Sequence, residues 1–319
     1  MIQAILEKIE KARRILVASH SSPDGDAIAS TLALVNGLRE MGKDVVAFNA
    51  DPVPQNLRFL PGAETLVHDL REVVPFDLGF LLDAGELRRA QAPLRELCRS
   101  LINMDHHPYS EPFGEINYVD EKASATGVLV YRLFKAGGHP ISPAVALCVY
   151  TAILSDTGSF RYSNADPEAF RIAAEMVEQG GINPWDVAGG LYESQDEKRL
   201  RLLALSLATL QVSPCGQFAS LVLTDEMMRT TGARHEHTDG FVNYPRSIRG
   251  VEVAILFRQT GPASWKVGFR SKGSVDVGSL ARRLGGGGHH NAAGAEVQGS
   301  LDEVRTLVHS QLNIGATLP

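Results

Sequence analysis

Four apolar stretches of this chain each run directly into residues that bind metals. Ile15–Ala18 leads to His20 in "HSSPDGDAIAS", Leu78–Leu82 to Asp83, and Leu101–Met104 to Asp105, His106 and His107. The apolar part of "TAILSDTGSF" leads to Asp156 and is read as a fourth strand end. Runs this short read as buried strands when helical segments alternate with them. Here Asp26–Met41 carries Ile28, Leu32, Val35 and Leu38 at helical spacing and ends at Gly42. Val45–Phe48 reads as another strand, and Ser124–Lys135 and Pro143–Leu154 as helices. The alternation predicts an α/β domain with a mostly parallel sheet. The carboxyl ends of parallel strands share one edge, where ligands bind, so residues distant in sequence are expected to converge there.

Composition bounds the partners. A length of 319 residues suggests two domains, and 44% hydrophobic content suffices for sizeable cores. The net charge of −6 argues against a broad grip on long duplex nucleic acid, but not against a small phosphorylated substrate held by a few cations. Cys98, Cys148 and Cys215 fall in no metal or disulfide pattern and read as thiols of a reducing compartment. Ile2, Ile5, Leu6 and Ile9 give the first residues an amphipathic helical pattern rather than that of a signal peptide. No apolar run approaches the ~20 residues that span a bilayer. The expectation is a cytoplasmic protein without membrane partners.

The pattern changes after about Trp185. "ESQDEKRLRLLALSLATL" reads as a helical connector, and "FASLVLT", "VEVAILFRQ" and "SWKVGFRS" as strands. The glycine-rich "LGGGGHHNAAGAEV" and a helix near Asp302–Gln311 follow. The expected division is 1–185 for the α/β domain, 186–211 for a helical linker and 212–319 for a smaller α+β domain.

His20, Asp24, Asp26, Asp83, His106 and Asp156 form the proposed ligand set. Carboxylates gathered in one site raise each other's pKa unless cations neutralise them. Two divalent ions would do so, and such a pair can polarise a phosphoryl group and activate water for in-line displacement. Mixed His and carboxylate ligation favours Mn²⁺, Co²⁺, Fe²⁺ or Zn²⁺ over a pure Mg²⁺ or Ca²⁺ site. In the second half, Gly286, Gly287 and Gly288 let the backbone approach an anion closely. Arg270, just before that segment, is a better phosphate partner than Arg258.

"HSSPDGDAIAS", "LLDAGE", "MDHHPYS" and "ILSDTGSFRY" resemble, in order and spacing, the four motifs of the DHH phosphoesterases, and "GGGGHHNAAG" resembles the glycine-rich motif of the DHHA1 domain. The two-domain length is similar to the branch of bifunctional oligoribonucleases and PAP phosphatases, PAP being 3′-phosphoadenosine 5′-phosphate (pAp). The resemblance implies a two-metal phosphoesterase, with Mn²⁺ the leading metal and Co²⁺, Fe²⁺ or Mg²⁺ as others. Its substrates would be short single-stranded RNA, dinucleotides and pAp. His20 and Asp24 would hold one ion, Asp26, His106 and Asp156 the other, and Asp83 would bridge both. Asp105 would orient His106, and His107 would face the scissile phosphate. Arg270 and His289 would bind substrate in the second domain, with the glycine run; the role of His290 stays open. A cyclic-dinucleotide phosphodiesterase, a RecJ-like exonuclease on longer single strands and a non-catalytic nucleotide-binding protein are the alternatives. Oligomeric state is open, a homodimer included.

Overall fold

The computed structural model describes residues 1–70, 75–288 and 290–313, which form two compact units, Met1–Ser194 and Gln195–Pro319. The first unit runs α1 (Ile2–Lys11), β1 (Arg14–Ser19), α2 (Gly25–Glu40), β2 (Asp44–Phe48), β3 (Leu78–Leu82), the single turn α3 (Leu94–Leu97), β4 (Leu101–Asp105) and β5 (Ile116–Val119). Four helices complete it: α4 (Thr126–Ala136), α5 (Pro143–Asp156), α6 (Pro167–Gly180) and α7 (Pro184–Tyr192). The sheet has the order β2-β1-β3-β4-β5, and every pairing is parallel.

The reason "RILVAS" is apolar throughout lies in its two faces. Ile15 and Val17 face a core built with α1, α2, α4, α5 and α6, whereas Leu16 and Ala18 face a second core with Leu81, Ala90, Leu94 and Phe113. A parallel strand buried on both faces needs apolar residues at every position. Register then places the strand ends level: Ser19 lies opposite Leu82, and Leu82 opposite Met104. The residues that follow, His20, Asp83 and Asp105, therefore meet at one edge. His20 and Asp83 flank the point where strand order reverses, between β1 and β3, where a crevice opens beyond the carboxyl ends.

Asp156 departs from the expectation. It is the last residue of helix α5, not the end of a strand. Helix α5 agrees with the helix expected over Pro143–Leu154; it is buried around most of its circumference, so its apolar end beside Asp156 also resembles a buried strand.

The second unit contains α8 (Glu197–Leu207), β6 (Gln211–Val212), β7 (Phe218–Leu223), α9 (Asp225–Thr231), α10 (Asn243–Arg246), β8 (Val253–Gly261), β9 (Ser264–Ser271), α11 (Val277–Arg283), β10 (Gly287–Gly288), β11 (Ala292–Gln298) and α12 (Leu301–Asn313). Its sheet, β10-β11-β9-β8-β7-β6, is antiparallel except for β7 with β8. One face packs on α11 and α12 through Phe257, Val267, Phe269, Leu280, Val304 and Val308. The segment 186–211 is divided between the units. Val187 and Leu191 of α7 join the first core, whereas Leu202 and Leu203 of α8 pack with Leu223 and Phe241. Asp196 starts α8 afresh by accepting the Lys198 N–H. No helix among the described residues is long and apolar enough to cross a membrane.

Candidate metal centre

The loop after β1 is fixed before it carries ligands. Asn49 donates from Nδ2 to the Ser19 hydroxyl and to the His20 carbonyl, and the Ser21 N–H donates to the Arg89 carbonyl at 2.7 Å. Asp24 then caps α2, accepting the Ala27 N–H at 3.0 Å, and Asp26 lies in the first turn of that helix. Both Asp26 oxygens also receive N–H groups from the start of α4, Thr126 at 2.6 Å and Gly127 at 3.1 Å. A helix N-terminus thereby orients a second carboxylate, which is buried whereas Asp24 is exposed. Close packing permits this: a Cβ on Gly25 would lie 2.0 Å from Ser155 Oγ, so glycine lets α2 approach the end of α5 that bears Asp156.

Asp83 sits at the middle. Its backbone is left-handed (φ 57°), a conformation in which Asp is enriched among non-glycine residues, and its side chain is 2% exposed. Its two oxygens face different groups. Oδ2 lies 3.8 Å from His20 Nε2, which is 4.0 Å from Asp24 Oδ1. Oδ1 lies 3.4 Å from His106 Nε2, which is 3.7 Å from Asp26 Oδ2 and 3.9 Å from Asp156 Oδ2. The six residues expected as ligands thus gather as two groups that share Asp83.

Both ligand-type imidazoles are held by the other nitrogen. His20 Nδ1 lies 2.8 Å from the Ser21 carbonyl and His106 Nδ1 3.0 Å from the Ala123 carbonyl. A carbonyl only accepts, so each Nδ1 carries hydrogen and Nε2 points at the carboxylates, as metal-binding histidines require. Asp105 does not orient His106. Its Oδ1 bonds the Nδ1 of His107 at 2.7 Å and the backbone N–H of His107 at 3.1 Å, and its Oδ2 accepts the Gly85 N–H at 2.8 Å. Ala123 already occupies the nitrogen of His106 that Asp105 would need.

The charges of the centre are unbalanced without cations. Burial, then the charge of Asp83, pushes the Asp26 carboxyl well above the carboxylate range. Burial also raises Asp156, with Asp24 and Asp83 adding to it and His106 opposing; its side chain remains 30% exposed, so water moderates the effect. For His106, burial favours the neutral ring, but the bond to Asp83 and the charges of Asp156 and Asp26 outweigh it and raise its pKa well above the usual value. Burial likewise opposes ionisation of Asp83, yet His106, His107 and His20 hold it below the usual range. A cluster that draws protons onto both carboxylates and imidazoles fits divalent cations. The nitrogen and oxygen donors of His20, Asp24 and Asp83, and of Asp83, His106 and His107, lie close enough to share an ion.

Two supporting residues carry no sequence signal of their own. Thr126 donates from Oγ1 to Asp83 Oδ1 at 3.0 Å, and Asn164 donates from Nδ2 to Asp156 Oδ2 at 3.0 Å and to the Ser124 carbonyl. Thr126 stands at a helix start in "SATG", a feature that sequence reading assigns to capping. Phe160, four residues beyond Asp156, is stacked on Phe170, with centroids 4.9 Å apart.

In the second unit, Arg270 lies on β9 between Ala254 and Ala292 of the adjoining strands, and its Nη1 donates to the Phe269 carbonyl. Gly286 and Gly288 are forced by β11: a Cβ would fall 2.1 Å from the Gly294 carbonyl oxygen and 2.5 Å from that of Ala292. A Cβ on Gly287 would meet nothing within 4 Å. The side chain of His290 is tied to the Gly273 carbonyl at 2.7 Å. His289 lies outside the described residues.

Residues 14–153 match the DHH family, N-terminal domain, and residues 219–313 match the DHHA1 domain. The bifunctional oligoribonuclease and PAP phosphatase NrnA of Thermus thermophilus is 34% identical over 305 residues, covering 95% of this chain and 90% of the relative. The Bacillus subtilis protein of the same name is 26% identical, covering 92% of each chain. Among solved structures, an exopolyphosphatase-related protein from Bacteroides fragilis superposes with a TM-score of 0.92 at 30% identity, covering 98% of this chain and 95% of the other.

Proposed function

The chain belongs to the DHH family of phosphoesterases, and from that premise we propose that it hydrolyses short oligoribonucleotides to nucleoside monophosphates and removes a phosphate from pAp. One observation carries the reading: Asp83 turns one oxygen to the His20 and Asp24 group and the other to the His106, Asp26 and Asp156 group. That arrangement suits two ions sharing one carboxylate, with Mn²⁺ favoured by mixed nitrogen and oxygen donors. When bound, such ions supply Lewis-acid polarisation of the phosphoryl group and lower the pKa of water.

The chain's own residues do the rest. His20 and His106 present fixed Nε2 atoms, so the site is set before substrate arrives. His107, clamped through Nδ1 by Asp105, presents Nε2 to a phosphate oxygen or to the departing ester oxygen. Water adds to phosphorus, and the ester oxygen leaves as an alcohol with the proton. Both proposed substrates undergo this one step: a diester gives one phosphomonoester and one alcohol, so a 5′-phosphorylated dinucleotide yields two nucleoside monophosphates, and pAp gives the nucleoside monophosphate and inorganic phosphate. Arg270 and Gly286–Gly288 of the second unit are assigned to binding a substrate phosphate. The names of the relatives support this substrate class over a cyclic dinucleotide or a long single strand.

The test is one assay series with Mn²⁺-loaded and chelator-treated protein on pAp, a diribonucleotide, a five-mer and a cyclic dinucleotide. Hydrolysis of the first three, abolished by chelation and restored better by Mn²⁺ than by Ca²⁺, is expected. Preference for the cyclic substrate, or full activity after verified metal removal, would refute the proposal.

A further inference from the structure

Arg89 lies in the loop after β3 and belongs to none of the ligand groups above. Its backbone is fastened to the His20 loop, since its carbonyl accepts the Ser21 N–H at 2.7 Å and Gln91, two residues on, donates from Nε2 to the Ser21 hydroxyl at 3.1 Å. Its Nη1 donates to the carbonyl of Ala84, the residue after Asp83, at 2.9 Å. Among the described residues no carboxylate pairs with it; Glu86, the acid of its own loop, is taken by Arg88. A half-buried guanidinium without a counter-ion is costly unless an anion arrives.

Gly85 shows where that anion fits. Its backbone is left-handed (φ 69°), and a Cβ placed there would be 3.9 Å from Arg89 Nη1 and 3.9 Å from Cβ and Cγ of His107. Glycine thus leaves open the space between a cation and the imidazole that Asp105 orients. A phosphate oxygen about 2.8 Å from the guanidinium fits in that opening, whose other wall is the Cβ and Cγ of His107. Loops from β1, β3 and β4 fix both walls through Ser21, Ala84 and Asp105, so the donors are in place before charge develops.

We infer that Arg89 is a phosphate-binding residue of the metal centre, donating to a non-bridging oxygen of the phosphate that His107 also contacts. The inference rests on the phosphoesterase reading, which it deepens by adding a fixed cation on the protein side. Loss of one preorganised donor to transition-state charge commonly costs about 10²- to 10³-fold in kcat.

Full-length Arg89→Ala and Arg89→Lys are compared with the parent for kcat and KM on pAp and a diribonucleotide, with and without added guanidinium ion. Binding of inorganic phosphate to the Mn²⁺-loaded proteins is followed by calorimetry, with metal content and melting temperature alongside. The expected result is a fall of about 10²-fold in kcat/KM for Arg89→Ala, partly recovered by guanidinium and smaller in Arg89→Lys. Phosphate affinity should drop about 10-fold or more, with metal content and melting temperature unchanged. Unchanged phosphate affinity in Arg89→Ala would overturn the inference. So would a loss shared by both variants, with lower metal content and no rescue, because Arg89 would then merely hold the loop. If the parent hydrolyses neither substrate, the functional reading fails by itself, and the phosphate titrations still decide the role of Arg89.

Discussion

At the residue scale, Asp83 and Asp105 divide the work of the centre, and their conservative variants should separate it. Asp83→Asn keeps the shape but leaves a neutral amide facing both groups. It should lose about 10²-fold or more in kcat, and metal content measured by mass spectrometry should fall. Asp105→Asn disturbs the bonds to His107, the Gly85 N–H and the Ser110 hydroxyl, none of them a proposed ligand. It should cost about 10- to 100-fold in kcat with full metal content, the effect of losing an orienting partner. Metal loss in Asp105→Asn would show that Asp105 supports a ligand after all. Gly25 offers a test by crowding. Gly25→Ala sets a methyl 2.0 Å from Ser155 Oγ and 2.5 Å from Ser155 Cβ, which should push Asp24 and Asp26 away from Asp156. Overpacking of this kind costs about 1–3 kcal/mol. Removing the obstacle in the double variant Gly25→Ala/Ser155→Gly should recover metal binding, whereas strictly additive losses would place the fault elsewhere.

At the scale of elements, α4, whose first turn binds Asp26, is joined to α6 by Arg132. From α4 it reaches Glu168 of α6 and Asp120 of the loop after β5. Glu168 and Asp120 are both held below their ordinary pKa values. For Glu168 the bond to Arg132 dominates; for Asp120 burial opposes ionisation but Arg132 and the Lys122 N–H outweigh it. A carboxylate whose pKa is depressed on folding stabilises the fold above its unfolded pKa, and that stability is lost as pH falls through the folded value. The contribution is therefore present at neutral pH and declines from about pH 4 downwards. These groups are partly exposed, so solvent screening limits the cluster to about 1 kcal/mol. Arg132→Met should lower stability by about that amount at pH 7 and by less at pH 3, measured by urea unfolding. An equal loss at both pH values would mean that packing of the aliphatic stem, not charge, is what Arg132 provides.

At the scale of the whole molecule, each unit buries a core of its own: Phe80, Phe134 and Leu129 in the first, Phe257, Phe269 and Val308 in the second. The ligand residues all belong to the first. An ion that binds only the folded state stabilises it by RT ln(1 + [ion]/Kd), about 2.7 kcal/mol at a hundredfold excess over Kd. For a unit of this size that corresponds to a rise of roughly 5–10 °C in melting temperature. Scanning calorimetry of the full chain should therefore show a Mn²⁺-dependent shift in the transition of Met1–Ser194 and little change in that of Gln195–Pro319. One transition shifting as a whole would show that the two units unfold cooperatively.

The sequence by itself determined where His20, Asp83, Asp105, His106 and His107 stand, because a short apolar run followed at once by a ligand residue is a local signal. A parallel sheet converts that signal into convergence at one edge. The strands and glycine run of the second unit were legible for the same reason, since alternation along β9 and close approach at Gly286 and Gly288 are properties of a few neighbouring residues. Only the tertiary structure decided that Asp156 closes the helix read over Pro143–Leu154 rather than a strand, and that it still comes within 3.9 Å of His106. It alone decided, too, that Ala123 rather than Asp105 orients His106, and that Asn164 steadies Asp156. Each of these depends on which carbonyl or amide packing brings within about 3 Å of a side chain. That choice is made between segments 8 to 40 residues apart, and no local pattern of residue types encodes it.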